Sequence, residues 1–493
     1  MGLRLDRPSA KAMERAMSLA CSTKILAILA MVTSTSRAFD CVRVQGREGG
    51  DRIRIVIYAE AYTEPMEEYF RTEVEEGVAE LFSLSPWREY RDHFVIYRAW
   101  TPSRSDYLSQ NPSDSTFFRS TFDGSYSRLP YSGIPGRIQA DSSFGCSELS
   151  REALATSYSV IVVNLSTGML VTGISPGNRT VLISRYGLGG VMGHELAHAF
   201  GGLSDEYSGN GAGGTSFIDG RPVNRPVYNI AASTDPELIP WKVWLDPSTP
   251  LPTPATPQYD TTIGLFLGAD YSVIDRYKPS QHCMMRGVTW FDALPAMCVV
   301  CREALTYRIL SIPTSESAWN PKPRIRLDTV HPAPGTLVSA GRILVVPIPV
   351  DTQPIQVRWM FRGQSVTAKD GRIEVADLQG DGTLEAVLEG RSPFIRNPSY
   401  LVSDTLRWTV NRSSSVVRNP TDRSPIRRGA SVFVVRTTDP QGHWARTAGG
   451  RRVPLRPVAR VAEGWILEGG TGLGDVLFLE PSDVRGESAG ISP

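Results

Sequence analysis

Hydrophobic positions follow two different periods along this chain. From Arg52 to Tyr58 apolar residues first alternate with arginine and then run unbroken, the pattern of a strand entering a sheet core. Thr63-Glu-Pro65 supplies a helix start, and Met66, Phe70, Val74, Val78, Leu81 and Phe82 recur behind it at helical spacing. Phe94–Tyr97, Tyr158–Val163 and Thr180–Ile183 are further apolar runs of strand length. Strand, helix, strand and then another strand after a long excursion predict an α/β layer around a mostly parallel sheet. Thr180–Ile183 reads as its edge strand, placed directly before the glycine-rich segment Gly187–Gly202.

The pattern then changes. Ser208–Pro257 is rich first in glycine and then in proline, and predicts a loop pinned by Trp241 and Trp244. A helix is expected again over Arg302–Ile312, ending at Pro313. Beyond Ser317 the period becomes two: Ile355, Val357, Trp359 and Phe361 alternate with polar residues, as do Leu406, Trp408 and Val410. Turn signals such as Gly380-Asp-Gly382 separate these runs, which points to a small β-sandwich. Ser413–Arg428 is polar and basic, a linker before the β-rich segment that opens at Ser431–Val435. The expected division is 1–38, 39–317, 318–412 and 413–493.

Residues 1–38 have a different character. Lys24 precedes the apolar run Ile25–Val32, and Ser36-Arg37-Ala38 offers a small-x-small site before Phe39. This reads as a secretory signal peptide, so the expected location is outside the cytoplasm, extracellular or periplasmic. That run of eight residues is the longest unbroken apolar stretch in the 493, far below the ~20 that span a bilayer, so no integral membrane segment is expected. Lys and Arg total 52 against 51 acidic residues, with no long block of one sign. A nucleic-acid partner recruited by bulk charge is therefore excluded.

One motif carries chemistry. In His194-Glu195-Leu196-Ala197-His198 the two histidines fall on one helical face, where both imidazoles can reach a single Zn²⁺. Glu195 would sit beside the open coordination position as general base. A zincin whose third ligand is a distant glutamate needs one some 20 residues on, yet none occurs between Glu206 and Glu237. A helix that ends at Gly202 turns the chain back and brings Asp205 to the metal, with Glu206 in reserve. This is one residue longer than the metzincin spacing HExxHxxGxxH/D, which would land on Ser204, a poor zinc ligand. Cys283-Met284-Met285-Arg286 stands where a methionine turn beneath the zinc would be expected.

The stretch His194-Glu-Leu-Ala-His-Ala-Phe-Gly-Gly-Leu-Ser-Asp-Glu-Tyr207 resembles the signature of the IgA-protease-like zinc metallopeptidase family. Ile55–Thr63, Tyr90–Val95, Cys283–Arg286 and Cys298-Val-Val-Cys-Arg-Glu303 match in the same order, so the resemblance covers roughly 50–312. It implies an α/β zincin, metzincin-like catalytic domain, and the period-two pattern beyond it completes the expected fold with an all-β C-terminal region. It also implies a secreted or surface zinc endopeptidase acting on a protein or peptide substrate. Carried over, His194 and His198 become metal ligands, Glu195 the base, and Asp205-Glu206 the third-ligand position. Two positions depart from the pattern: Glu60-Ala61 stands where Asp-Gly is expected, and Leu267 where a glutamate is.

Other signals keep alternatives open. Five cysteines follow the signal segment, an odd number that allows at most two disulfides. Cys283, Cys298 and Cys301 either form a disulfide, the commoner fate in an exported chain, or hold a structural zinc with His282 as fourth ligand. Tyr207, Tyr271, Tyr277 and His282 are candidates to polarise a scissile carbonyl, with none singled out. Asn164, Asn178 and Asn411 are formal glycosylation sites. Gly173-Ile-Ser-Pro-Gly177 fits a nucleophile elbow only formally, because proline has no N–H to give an oxyanion hole. The reading from a different class is a binding or adhesion protein, its β-rich half active and its zinc site vestigial.

Overall fold

The computed structural model describes residues 39–412 except 109, 111–114, 123–126, 166–172, 178, 186, 210–216, 219–220, 223–226, 288–295, 313–323 and 351–354; after 412 it describes strands between 426 and 479. The expected signal peptide, Asn178 and most of the expected linker lie outside the described residues.

The first unit, 1–329 with 346–357 and 388–404, is built on a six-stranded sheet. Its strands are β1 (Cys41–Gln45), β2 (Ile53–Glu60), β3 (Phe94–Ala99), β4 (Tyr158–Val163), β5 (Gly173–Gly177) and β6 (Thr180–Ser184). They lie in the order β1-β3-β2-β4-β6-β5. The four central strands are parallel, with Ile55 opposite Ile96 and Tyr158, and both outer strands run antiparallel. The mostly parallel sheet is as the periodicity predicts. Its edge is not: Thr180–Ser184 is an inner strand buried along its length, and Gly173–Gly177 forms the edge. The reason is local. Gly-Ile-Ser-Pro-Gly carries no alternation, yet it pairs Gly173 with Ile183 and Ile174 with Leu182.

Both sheet faces are covered, which is why β2 is apolar nearly throughout. One face packs Val56, Tyr58, Tyr97, Ile161 and Leu182 against Phe118, Ile134, Phe144 and Leu154 from the long excursion. A disulfide joins Cys41 to Cys146 on that side. Helix α1 (Glu67–Leu81) follows the 3₁₀ turn Glu64–Met66 and buries Phe70, Val74, Val78 and Leu81, the expected stripe. Further on, α2 (Leu188–Ala199) carries the two histidines, and α3 (Val299–Leu310) is the later helix, which starts before the expected Arg302 and gives way to a short strand at Ser311–Ile312. Between them the described part of 227–257 holds short 3₁₀ turns and one isolated bridge at Ala231. Trp241 anchors it by donating to the Gly264 carbonyl at 2.9 Å, and Trp244 by donating to Glu303 at 2.6 Å.

From 327 on the chain is strand-rich. β-strands at 337–338, 402–410, 382–390, 356–361 and 364–366 form one sheet in that order, and 327–331, 342–347 and 372–374 another. The second unit comprises 330–345, 358–387 and 405–493. Within it Trp359 and Trp408 stack at 5.9 Å, and Leu406, Trp408 and Val410 are buried while Arg407 and Thr409 face out. The strands between 426 and 479 form a sheet in which neighbours in sequence are neighbours in space.

Candidate metal centre

Helix α2 packs against α1 through glycines. A Cβ at Gly77 of α1 would lie 2.7 Å from the Leu188 side chain, and one at Gly189 would lie 2.7 Å from the Gly77 carbonyl oxygen. At Gly193 a Cβ would touch Leu81 and Met284, both at 3.4 Å. The glycines of α2 thus serve packing, a role that their low helix propensity hides in the sequence. The helix start is satisfied from outside: Gly187 sits at φ 64°, and the Gly189 N–H donates to Glu80 Oε2 at 3.1 Å.

One helical turn apart, the His194 and His198 rings meet edge to face at 4.7 Å. His194 Nδ1 donates to the Met284 carbonyl at 3.0 Å and His198 Nδ1 to the Leu203 carbonyl at 2.7 Å. A carbonyl can only accept, so these bonds fix the tautomers and leave both Nε2 atoms as lone-pair donors, 3.1 Å apart. After the helix, Gly202 at φ 67° reverses the chain and its N–H donates to His198 O at 3.0 Å. That turn carries Asp205 Oδ1 to 3.2 Å from each Nε2. No hydrogen bond reaches this buried oxygen. Three lone-pair atoms thus converge with no proton donor between them, a set that fits a divalent cation such as Zn²⁺.

The Asp205 charge and the two imidazoles act strongly on one another. Burial works to lower the His198 imidazole, but the Asp205 charge outweighs it and raises the group to about 9. Against the cost of its own burial, Asp205 is held far below the usual carboxylate range by the two imidazoles. Burial pushes the Glu195 carboxyl up, opposed by His198 and His194. Glu195 stands beside the edge strand, since a Cβ at Gly173 would fall 2.3 Å from its Oε1.

Of the residues that the sequence singles out, His194, Glu195, His198 and Asp205 are brought together. Glu206 is not: its carboxylate turns away into a buried group with Cys283, Cys298 and Cys301. His282 also stands apart, half a surface ion pair with Asp260 at 2.7 Å. Tyr277 pairs with Leu267 in a hairpin and with Ala231 beyond it. The other two tyrosines stand at the site: Tyr271 donates to Asp205 Oδ2 at 2.8 Å, and Tyr207 Oη lies 2.7 Å from Tyr271 Oη. Burial, with the Asp205 charge behind it, raises the Tyr207 phenol far above its ordinary range, so it stays protonated.

Tyr271 arrives there on the turn between Phe266–Ala269 and Ser272–Lys278. Asp270 (φ 49°) and Tyr271 (φ 61°) are both left-handed, where Asn-Gly would be the easy choice. Their N–H groups dock on the Asp205 and Tyr207 carbonyls at 2.9 and 3.2 Å. Asn229, fully buried, clamps the same loop from the other side. It accepts from Ser204 N at 3.0 Å and donates to Ser204 O at 2.8 Å. Nothing in the sequence marks Asn229 or this turn. Of the formal glycosylation sites, Asn164 is buried and donates to the Ala61 carbonyl at 3.0 Å, which removes it from consideration.

No curated protein matches this chain. Residues 44–259 do match the family model described as IgA Peptidase M64. That stretch contains His194, Glu195, His198 and Asp205, and the match supports an IgA-protease-like metallopeptidase family for this region of the chain.

Proposed function

We propose that this protein is a secreted zinc endopeptidase with a metzincin-like catalytic unit, in which His194, His198 and Asp205 hold the metal and Glu195 is the general base. The observation that carries the reading is the convergence of the two Nε2 atoms and the orphan Asp205 Oδ1, with Glu195 next to them. Bound there, zinc supplies a Lewis acid that polarises the scissile carbonyl and makes water a nucleophile near neutral pH. Glu195 takes the proton from the attacking water and delivers it to the departing amide nitrogen. Tyr271 holds Asp205 through Oδ2 and leaves Oδ1 for the metal. The substrate strand is laid along β5, the sheet edge on which the Glu195 side chain rests, and main-chain pairing with that edge aligns it. Secretion rests on the signal-like segment 1–38.

The test compares bound metal and cleavage of a denatured protein mixture for the intact chain and Glu195→Ala. The expected result is one catalytic zinc retained in both proteins and cleavage only in the first. Loss of cleavage by about 10²–10⁴-fold would match the removal of a general base. If both proteins bind metal at His194 and His198 and neither cuts any protein, the adhesion reading replaces this one.

A further inference from the structure

A second group of metal-ligand type lies beyond the centre described above, and three of its four members lie outside the matched stretch 44–259. Cys283, Cys298, Cys301 and Glu206 are all buried, with exposures of 1%, 8%, 0% and 0%. One ligand atom from each lies within 4.8 Å of all the others. Tetrahedral zinc with bonds to sulfur of about 2.3 Å has sulfur–sulfur edges of about 3.8 Å, which such a group can adopt. We propose that these four residues form a closed, structural zinc site, with Glu206 rather than His282 as the fourth ligand.

Three observations independent of composition support it. The three thiols are unpaired with one another although they crowd together, whereas Cys41 and Cys146 are joined. Glu206 Oε1 is engaged by Asn229 at 3.1 Å and by the Cys301 thiol at 2.9 Å, but its Oε2 is buried with no hydrogen-bond partner. A buried carboxylate oxygen with nothing to accept is costly, and a cation is what would satisfy it. Finally, the backbone is already arranged for thiolates. Cys298 stands at the N-terminal boundary of α3, and its N–H donates to Cys283 Sγ at 3.3 Å. Three thiolates and a carboxylate around one Zn²⁺ carry two net negative charges, and Lys278 stands beside them, donating to the Glu206 carbonyl at 2.7 Å. Soft sulfur donors favour zinc over magnesium or calcium, and a fully protein-ligated tetrahedron leaves no position for substrate.

The site would tie together the parts that hold the first centre. Glu206 follows Asp205, and its N–H donates to Met285 O at 2.7 Å. Cys283 precedes Met284, whose carbonyl orients His194. A cation at the cysteines therefore fixes both the third ligand and the carbonyl beneath the first, without touching either directly.

The experiment measures metal on the full chain and on the double variant H194A/H198A, loaded with zinc or with cobalt. Zinc per chain should fall from two to one, and the cobalt form of the double variant should keep a thiolate-to-cobalt charge-transfer band in the near ultraviolet. Residue-resolved alkylation should label Cys283, Cys298 and Cys301 without reductant once the chain is unfolded in chelator. Cys41 and Cys146 should need reduction first. Zero metal in the double variant, no charge-transfer band, or two of the three cysteines labelled only after reduction would each overturn the proposal. None of these readouts depends on peptide cleavage, so failure of the peptidase reading would leave this result standing, and the converse.

Discussion

Asp205 and Glu206 are neighbours in sequence and face different groups of side chains. Asp205 faces two histidines where His198 keeps 18% of its side chain exposed and Tyr271, 42% exposed, reaches in from the surface. Glu206 faces three cysteines in an interior that water does not reach. Hard and borderline donors with an open side suit chemistry, and a sealed sulfur-rich shell suits rigidity. The difference shows how one tight loop can serve two clusters: Asp205 turns toward the histidines and Glu206, the next residue, toward the cysteines.

That contrast can be broken in graded ways. The largest effect on folding is expected from Cys301→Ser at the sealed site. It should lower stability by at least about 3 kcal/mol in chemical unfolding, in line with structural zinc, whereas H194A should cost far less. Equal losses in the two variants would erase the distinction. Next comes Gly173→Ala, whose new Cβ collides with Glu195: kcat/KM should fall by about 10–100-fold with metal content unchanged, as expected when a catalytic group is displaced. An unaltered rate would remove β5 from the site. Tyr271→Phe deletes one bond to a ligand, so zinc affinity at the histidine centre should weaken by about tenfold in competition with a chelator, leaving the cysteine zinc in place. The smallest effect is Ala61→Gly. Ala61 sits at φ 60°, and relief of that conformation should add about 0.5–1 kcal/mol of stability while changing neither metal. A destabilised A61G protein would show that the Ala61 side chain contributes more packing than strain.

Ala61 also shows what was legible in the sequence. Its departure from an expected Asp-Gly marks a place where the backbone needs a left-handed residue, and the preceding Glu60 is held by Phe118 N at 2.9 Å and Ser120 N at 3.0 Å. The inner strands, α1 and the histidine pair follow from period and spacing, because burial on both faces or along one stripe writes itself into apolar positions. Asp205 follows from counting past Gly202. Hidden were features set by backbone geometry or by partners distant in sequence. The edge strand β5 has two glycines and a proline in place of an alternating pattern. The turn at Asp270-Tyr271 lacks the residues that usually announce one. Glu206 reads as a spare ligand for the histidines until the fold shows which way it points.

The docked hairpin couples two segments that are distant in sequence. Two consecutive left-handed residues without glycine cost about 1–2 kcal/mol each, so the isolated hairpin disfavours its own turn. The compensation comes from the bonds of Asp270 N and Tyr271 N to the 205–207 backbone. The turn and the 205–207 loop therefore hold each other in place, and loosening either one frees Asp205, which Asp270 N and the Tyr271 hydroxyl both tie down.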